Sequence, residues 1–145
     1  MKAALFLCLA AMPFATMVIA SAPSGAGGDQ SSGALTAKKA SPFYCNVHAL
    51  SREERKRHFD ELGPKLRSLR KSARELENGY AFEFPGNDEV YQLVSEWAIQ
   101  ERRCCPFFDI SLRLEPEGGP LWLILTGRPG TKDFIKVDGA AWIKR

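Results

Sequence analysis

The chain of 145 residues is long enough for one ordinary domain but too short for two, because domains commonly contain about 100 to 150 residues. Its content of 45% hydrophobic, 10% aromatic and 26% charged residues excludes a wholly disordered, collagen-like or coiled-coil protein. The 20 basic and 17 acidic residues nearly balance, at a formal charge of +3, so composition does not indicate nucleic acid as a partner.

Residues 1–20 have the pattern of an export signal. Lys2 is followed by an apolar run without charged side chains, which ends at Ala20. Cleavage is expected after Ala20, and cleavage after Ala22 is the alternative. We therefore expect an exported, periplasmic or extracellular protein with no stable membrane insertion. A retained leader would instead anchor the protein in the membrane, since about 18 apolar residues is the lower limit for a span.

Residues 21–40 are rich in Gly, Ser and Ala. Such a segment cannot bury enough apolar surface to offset the entropy lost on ordering, so we expect a flexible linker. The remaining residues, 41–145, are expected to form a single folded domain.

A first helix is predicted to begin at Ser51, which forms a capping box with Glu54. Apolar residues then recur at three- and four-residue spacing, at Phe59, Leu62, Leu66 and Leu69. The pair Gly63-Pro64 is expected to kink this helix or divide it in two, because proline lacks a backbone donor. His58 stands among basic residues and is expected at the surface.

Asn78-Gly79 is the strongest turn signal in the chain. Both residue types tolerate the positive φ angles of a tight type I′ hairpin, which should join strands at residues 72–77 and 80–84. Alternation in the second strand places three aromatic rings on one face of the sheet, those of Tyr80, Phe82 and Phe84.

A second helix is predicted after Asn87 or Asp88, and its buried stripe is the clearest in the chain. Apolar residues lie at offsets of 0, 3, 4, 7 and 8, at Val90, Leu93, Val94, Trp97 and Ala98. The same spacing continues to Glu101, Cys104 and Cys105, and Pro106 should end the helix near Cys104.

The rest of the chain predicts a second hairpin and a short helix. Phe108 to Leu114 alternates as a half-buried strand, and the apolar run from Leu121 to Leu125 is typical of a central strand. The order helix, hairpin, helix, hairpin, helix predicts an α+β fold, with a four-stranded antiparallel sheet covered by helices.

Three cysteines remain after the leader is removed: Cys45, Cys104 and Cys105. An oxidising compartment favours a disulfide from Cys45 to Cys104 or Cys105, which would leave one thiol free. A bridge between the adjacent pair is disfavoured because it strains the intervening peptide bond.

The same residues could bind a metal. Cys45 lies three residues before His48, and Glu101 lies one helical turn before the adjacent cysteines. Three sulfurs suit a soft or borderline ion such as zinc, copper(I) or mercury(II). Glu101 could instead form a salt bridge with a nearby arginine.

A redox enzyme is the third interpretation of the cysteines. The adjacent pair lies at a helix carboxyl terminus, where the helix dipole disfavours a thiolate, although Arg102 and Arg103 could offset this effect. No residue is assigned a catalytic role.

The run Glu101-Arg102-Arg103-Cys104-Cys105-Pro106-Phe107-Phe108 resembles a motif of small, uncharacterised bacterial proteins. The likeness includes Cys45 before Ala49-Leu50-Ser51 and the later stretch from Leu121-Trp122-Leu123 to Thr126-Gly127, and it covers most of Cys45 to Val137. Similar domains occur with heavy-metal-responsive regulators of the mercury-resistance type. This resemblance implies thiol coordination of a soft metal, and the residues that it carries over are Cys45, Glu101, Cys104 and Cys105.

The sequence therefore predicts a small exported domain that binds a soft metal or metalloid ion through a three-cysteine cluster. Two alternatives stay open. The first is a non-catalytic structural or partner-binding module held by a Cys45 disulfide, and the second is a thiol oxidoreductase.

Overall fold

The computed structural model describes residues 41–144. The predicted signal peptide (1–20), its cleavage sites and the predicted linker (21–40) lie outside the described residues, as does residue 145. Within residues 41–144, no helix combines the length and the apolar character that crossing a bilayer requires.

The described residues form an α+β fold around one four-stranded sheet. In chain order the elements are a 3₁₀ turn (Val47–Ala49), α1 (Arg52–Arg55), a π-helical segment (Lys56–Leu62), α2 (Gly63–Leu69), β1 (Ser72–Leu76), β2 (Gly79–Phe84), α3 (Asp88–Cys104), β3 (Phe108–Leu114), β4 (Leu121–Gly127), α4 (Thr131–Val137) and α5 (Ala140–Ile143). The strands pair in the order β1-β2-β4-β3, and every pairing is antiparallel. The predicted fold class and the four-stranded antiparallel sheet are confirmed.

The first helical region, which comprises α1, the π-helical segment and α2, begins at the predicted capping box. Ser51 N–H donates to the Glu54 carboxylate (2.8 Å), and Glu54 N–H donates to the Ser51 hydroxyl (3.1 Å). Before Pro64 the helix widens to the π form, and Gly63 N–H donates to the carbonyl of His58, five residues back. The chain accommodates Pro64 by this wider turn, which continues directly into α2.

The π-helical segment changes which side chains face the core. His58, Leu62 and Leu66 lie at four-residue spacing on the buried face, and His58 is only 2% exposed. Phe59 is 42% exposed. The prediction of a buried Phe59 is therefore wrong, because it assumed regular α-helical geometry across residues 56–62. The surface position expected for His58 is also wrong, because its four-residue spacing from Leu62 places it on the buried face.

The hairpin β1-β2 forms where it is predicted, but for a different reason. Leu76 pairs with Gly79 across the two-residue loop of Glu77 and Asn78, and none of these residues has a positive φ. The predicted type I′ turn is thus wrong. Gly79 lies so close to the carbonyl group of Leu125 on β4 that a Cβ atom would overlap it.

One face of the sheet carries the hydrophobic core. The buried members of this core are Leu62, Leu66, Tyr80, Phe82, Phe84, Val90, Val94, Trp97, Leu121, Leu123, Leu125 and Ile135. They come from the first helical region, β2, α3, β4 and α4. The predicted aromatic stripe of β2 is part of this core.

Candidate functional site

Cys104 and Cys105 lie where α3 ends. Cys104 is the last helical residue, as predicted, and Cys105 has left helical geometry with φ of −120° and ψ of 72°. Pro106 causes this change, because a residue before proline is driven away from the α region. The side chains of two adjacent residues, which would diverge on a continuous helix, are thereby brought to the same small cluster.

The segment before α1 brings Cys45 to the same place. Asn46 N–H donates to the carbonyl of Cys104 (2.8 Å), which satisfies one of the unpaired carbonyls at the end of α3. The ring of Phe43 packs edge-on against Phe107 (5.1 Å between centroids). Leu50 is buried with the cysteines in a second, smaller hydrophobic cluster.

The three cysteines are neighbours in space. Cys45 and Cys105 form a disulfide with 4.8 Å between their Cα atoms, and Cys104 is a buried free thiol. The three Sγ atoms all lie within 4.8 Å of one another. The predicted convergence of the cysteines is confirmed. The sequence left open whether Cys45 bonds to Cys104 or to Cys105, and the structure has the bond to Cys105.

The free thiol of Cys104 lies in an environment that disfavours its charged form. Burial raises the pKa of Cys104 to about 11, and the negative charge of Glu101 acts in the same direction. At neutral pH Cys104 is therefore a protonated thiol rather than a thiolate, which makes it a poor nucleophile.

Glu101 lies one turn before Cys104 on α3, and its partner is a histidine. The Glu101 carboxylate and His58 Nε2 form a hydrogen bond of 2.8 Å. Both side chains are buried, at 10% and 2% exposure. The expected salt bridge between Glu101 and an arginine is wrong, because the π-helical segment turns His58 toward α3. The His58 ring also stacks on Trp97, with 5.4 Å between centroids.

His48 lies in the exposed 3₁₀ turn after Cys45. Among the described residues, the close group of possible ligand atoms comprises the three cysteine sulfurs and includes neither His48 nor Glu101. The geometry thus brings together three of the five residues predicted as metal ligands. The roles of His48 and Glu101 as ligands stay predictions.

His58 is the buried neighbour of the candidate site that sequence reasoning missed. Its spacing of four residues from Leu62 and of eight from Leu66 places it on their face of the helix. That spacing was the available signal, but the basic residues before His58, Arg55 to Arg57, favoured a surface position.

Comparisons of the chain with protein-family models, with curated proteins and with solved structures found no match.

Proposed function

We propose that the reduced protein binds one soft metal or metalloid ion through the sulfurs of Cys45, Cys104 and Cys105. The observation that carries this proposal is the convergence of the three Sγ atoms within 4.8 Å. Sulfurs this close need only small side-chain rotations to surround one ion. Thiolate ligands favour zinc, copper(I) and mercury(II) over hard ions.

Binding requires that the Cys45–Cys105 disulfide is first reduced. Two equivalents of an external thiol supply two electrons and two protons, which gives two protein thiols and one disulfide of the reductant. The ion then displaces the thiol protons as it binds. Because the pKa of Cys104 is raised to about 11, the affinity for the ion increases with pH.

We further propose that the protein is exported and that its oxidised form is the resting form there. The leader pattern of residues 1–20 and the disulfide both support an oxidising compartment. The resemblance of the motif around Cys104-Cys105 to domains that occur with heavy-metal-responsive regulators supports a soft ion as the ligand.

The disulfide itself favours a second candidate, a structural or partner-binding module. The bridge joins the segment before α1 to the end of α3 and buries Cys105 completely. A bridge that links residues 60 positions apart strongly restricts the unfolded chain. In this case the protein would bind no ion, and Cys104 would serve only as a small apolar side chain.

Titration of the reduced chain with mercury(II) distinguishes the two candidates. A Cys8→Ser background leaves the three cysteines of the cluster as the only thiols. We expect each chain to bind one mercury(II) ion even when a small dithiol competes for the ion. The Cys104→Ala variant should bind it with at least tenfold lower affinity.

Cys104→Ala is the decisive variant because it retains both cysteines of the disulfide. Affinity for mercury(II) that is unchanged by this substitution would show that two sulfurs suffice, and it would overturn the three-sulfur site. No competitive binding by the reduced parent chain would leave the structural module as the function. Titrations with zinc and with copper(I) in the same way give the order of affinity of the three ions.

A further inference from the structure

A cavity of about 200 Å³ lies between the first helical region, the sheet and the C-terminal helices. Its walls are mostly apolar and include the aromatic rings of Phe82, Trp97, Phe108, Phe134 and Trp142. Ala141 and Asp138 also line it and are exposed, so the cavity reaches solvent. The fold therefore provides a preformed concave site with apolar walls, the usual form of a small-molecule site.

One buried polar atom at this cavity has no partner. His58 lines the cavity, and while its Nε2 bonds to Glu101, its Nδ1 is buried without a hydrogen-bond partner in residues 41–144. Leaving such an atom unpaired costs about 1 to 3 kcal/mol, and buried polar atoms are seldom left so. Nδ1 of His58 thus has an unused capacity to bind a ligand.

The chemistry of the imidazole ring sets what that atom can bind. Nε2 is engaged by the Glu101 carboxylate, whereas Nδ1 is an acceptor or a donor according to the tautomer and protonation of the ring. A hydroxyl group can both donate and accept a hydrogen bond, so it suits Nδ1 in either state.

We propose that the cavity binds a small phenolic molecule, whose single ring packs on the aromatic walls and whose hydroxyl forms a hydrogen bond with Nδ1 of His58. An apolar cavity of about 150 Å³ is large enough for benzene, so one of about 200 Å³ takes one ring with a small substituent. Edge-on and offset contacts with Trp97 and Trp142 would hold the ring. Glu101 also lines the cavity but is engaged by His58, and the other charged lining residues, Arg67 and Asp138, have opposite signs, which favours a neutral ligand.

Cys45 also lines the cavity, so the proposal is tested on the oxidised protein, in which Cys45 and Cys105 are not available to an ion. It does not depend on ion binding. The probes are phenol and toluene, which have nearly the same shape but differ in the hydroxyl group. Two of the three tryptophans, Trp97 and Trp142, line the cavity and report binding by fluorescence. We expect phenol to bind with a Kd below about 1 mM, at least threefold more tightly than toluene.

Two variants locate the binding. Ala141→Phe fills the cavity and should abolish the response to both probes, whereas Ala73→Phe, on the exposed edge of β1, should leave it unchanged. The double variant His58→Phe, Glu101→Leu removes Nδ1 and the carboxylate that pairs with the ring together, so that no buried charge is left unpaired. It should retain toluene binding and lose the preference for phenol.

Several results would overturn the proposal. One is the absence of a fluorescence response and of amide chemical-shift changes at 5 mM phenol. Another is equal binding of phenol by Ala141→Phe and the parent chain, which would place the site elsewhere. A preference for phenol that persists in the double variant would show that His58 does not bind the hydroxyl.

Discussion

At the scale of single residues, the environment of Cys104 decides how the cluster behaves. The side chain is completely buried, and the carboxylate of Glu101 lies one turn away. Both effects stabilise the protonated thiol, so an ion must compete with a tightly held proton. Titration of this thiol therefore makes the stability of the fold depend on pH in the alkaline range.

The first prediction follows from this linkage. The native protein holds the Cys104 proton until its pKa of about 11, whereas the unfolded chain releases it near 9.0. Unfolding therefore releases a proton between these values, and stability falls as pH rises from 9 to 11. The fall should be roughly 2 to 3 kcal/mol. Urea unfolding of the oxidised protein at several pH values measures it.

The control for this prediction is the variant Cys104→Ala. Burial also raises the pKa of Tyr80, so part of the alkaline loss of stability belongs to that side chain and appears in both chains. The difference between parent and variant isolates Cys104. Parallel stability profiles from pH 9 to pH 11 would contradict the assignment of a raised pKa to Cys104.

A second prediction concerns the buried pair of His58 and Glu101. Glu101→Gln keeps an oxygen that can accept the hydrogen bond but removes the charge, which should cost about 1 kcal/mol. Glu101→Ala leaves His58 without its partner and should cost about 3 kcal/mol or more. Urea unfolding gives both values, with exposed Glu53→Gln as a control that should change stability by about 0.5 kcal/mol or less. Equal stability of Glu101→Ala and the parent would contradict the pairing.

At the scale of elements, the sequence predicted what depends on local pattern and missed what depends on contacts between distant segments. The stripe from Val90 to Ala98 and the proline after Cys105 located α3 and its end correctly. The π-helical segment was not predicted, because Gly63-Pro64 allows a kink, a break or a wider turn. Packing between His58 and α3 decides among these three outcomes. A contact between such distant segments leaves no local sequence pattern.

The hairpin β1-β2 also combines a feature that the local sequence predicts with one that depends on a distant segment. It provides a third prediction. Asn78-Gly79 correctly predicted a turn, but the close approach of Gly79 to the Leu125 carbonyl depends on β4, more than 40 residues later. Gly79→Ala should lower stability by about 3 kcal/mol or more, because the backbone of a central strand must move. Gly118→Ala, which has open space but a φ of +73°, should cost only about 1 to 2 kcal/mol. Thermal unfolding compares them, and equal losses would contradict the steric explanation.

At the scale of the whole molecule, the Cys45–Cys105 bridge ties the beginning of the described domain to its middle. The closed loop of 60 residues corresponds to about 4 kcal/mol of lost entropy in the unfolded chain. That is a large fraction of the 5 to roughly 15 kcal/mol by which ordinary domains are stable. Reduction would therefore weaken the fold as well as free the sulfurs of Cys45 and Cys105 for the proposed ion.

The fourth prediction is the size of this effect. Replacement of Cys45 and Cys105 by alanine, in the Cys8→Ser background, should lower the free energy of unfolding by about 4 kcal/mol. Cys104→Ala in the same background retains the bridge and should lose only about 1 kcal/mol. Urea unfolding under oxidising conditions measures both. A loss below about 1 kcal/mol in the double variant would contradict a stabilising role for the bridge.

The convergence of the cysteines was predictable in outline, since Pro106 ends α3 beside the doublet and Cys45 precedes the first helix. Which cysteine is bridged was not predictable, because it depends on the non-helical conformation of Cys105 and on the bond from Asn46 to the Cys104 carbonyl. The cavity could not be predicted from the sequence either, since the residues that line it come from eight separate elements.

X-ray absorption spectroscopy of the reduced protein loaded with one equivalent of mercury(II) tests the central claim most directly. The number of sulfur neighbours around the ion should be three in the Cys8→Ser chain and two once Cys104 is also replaced by alanine. Two sulfur neighbours in both proteins would show that Cys104 does not bind the ion, and the three-sulfur site would be refuted.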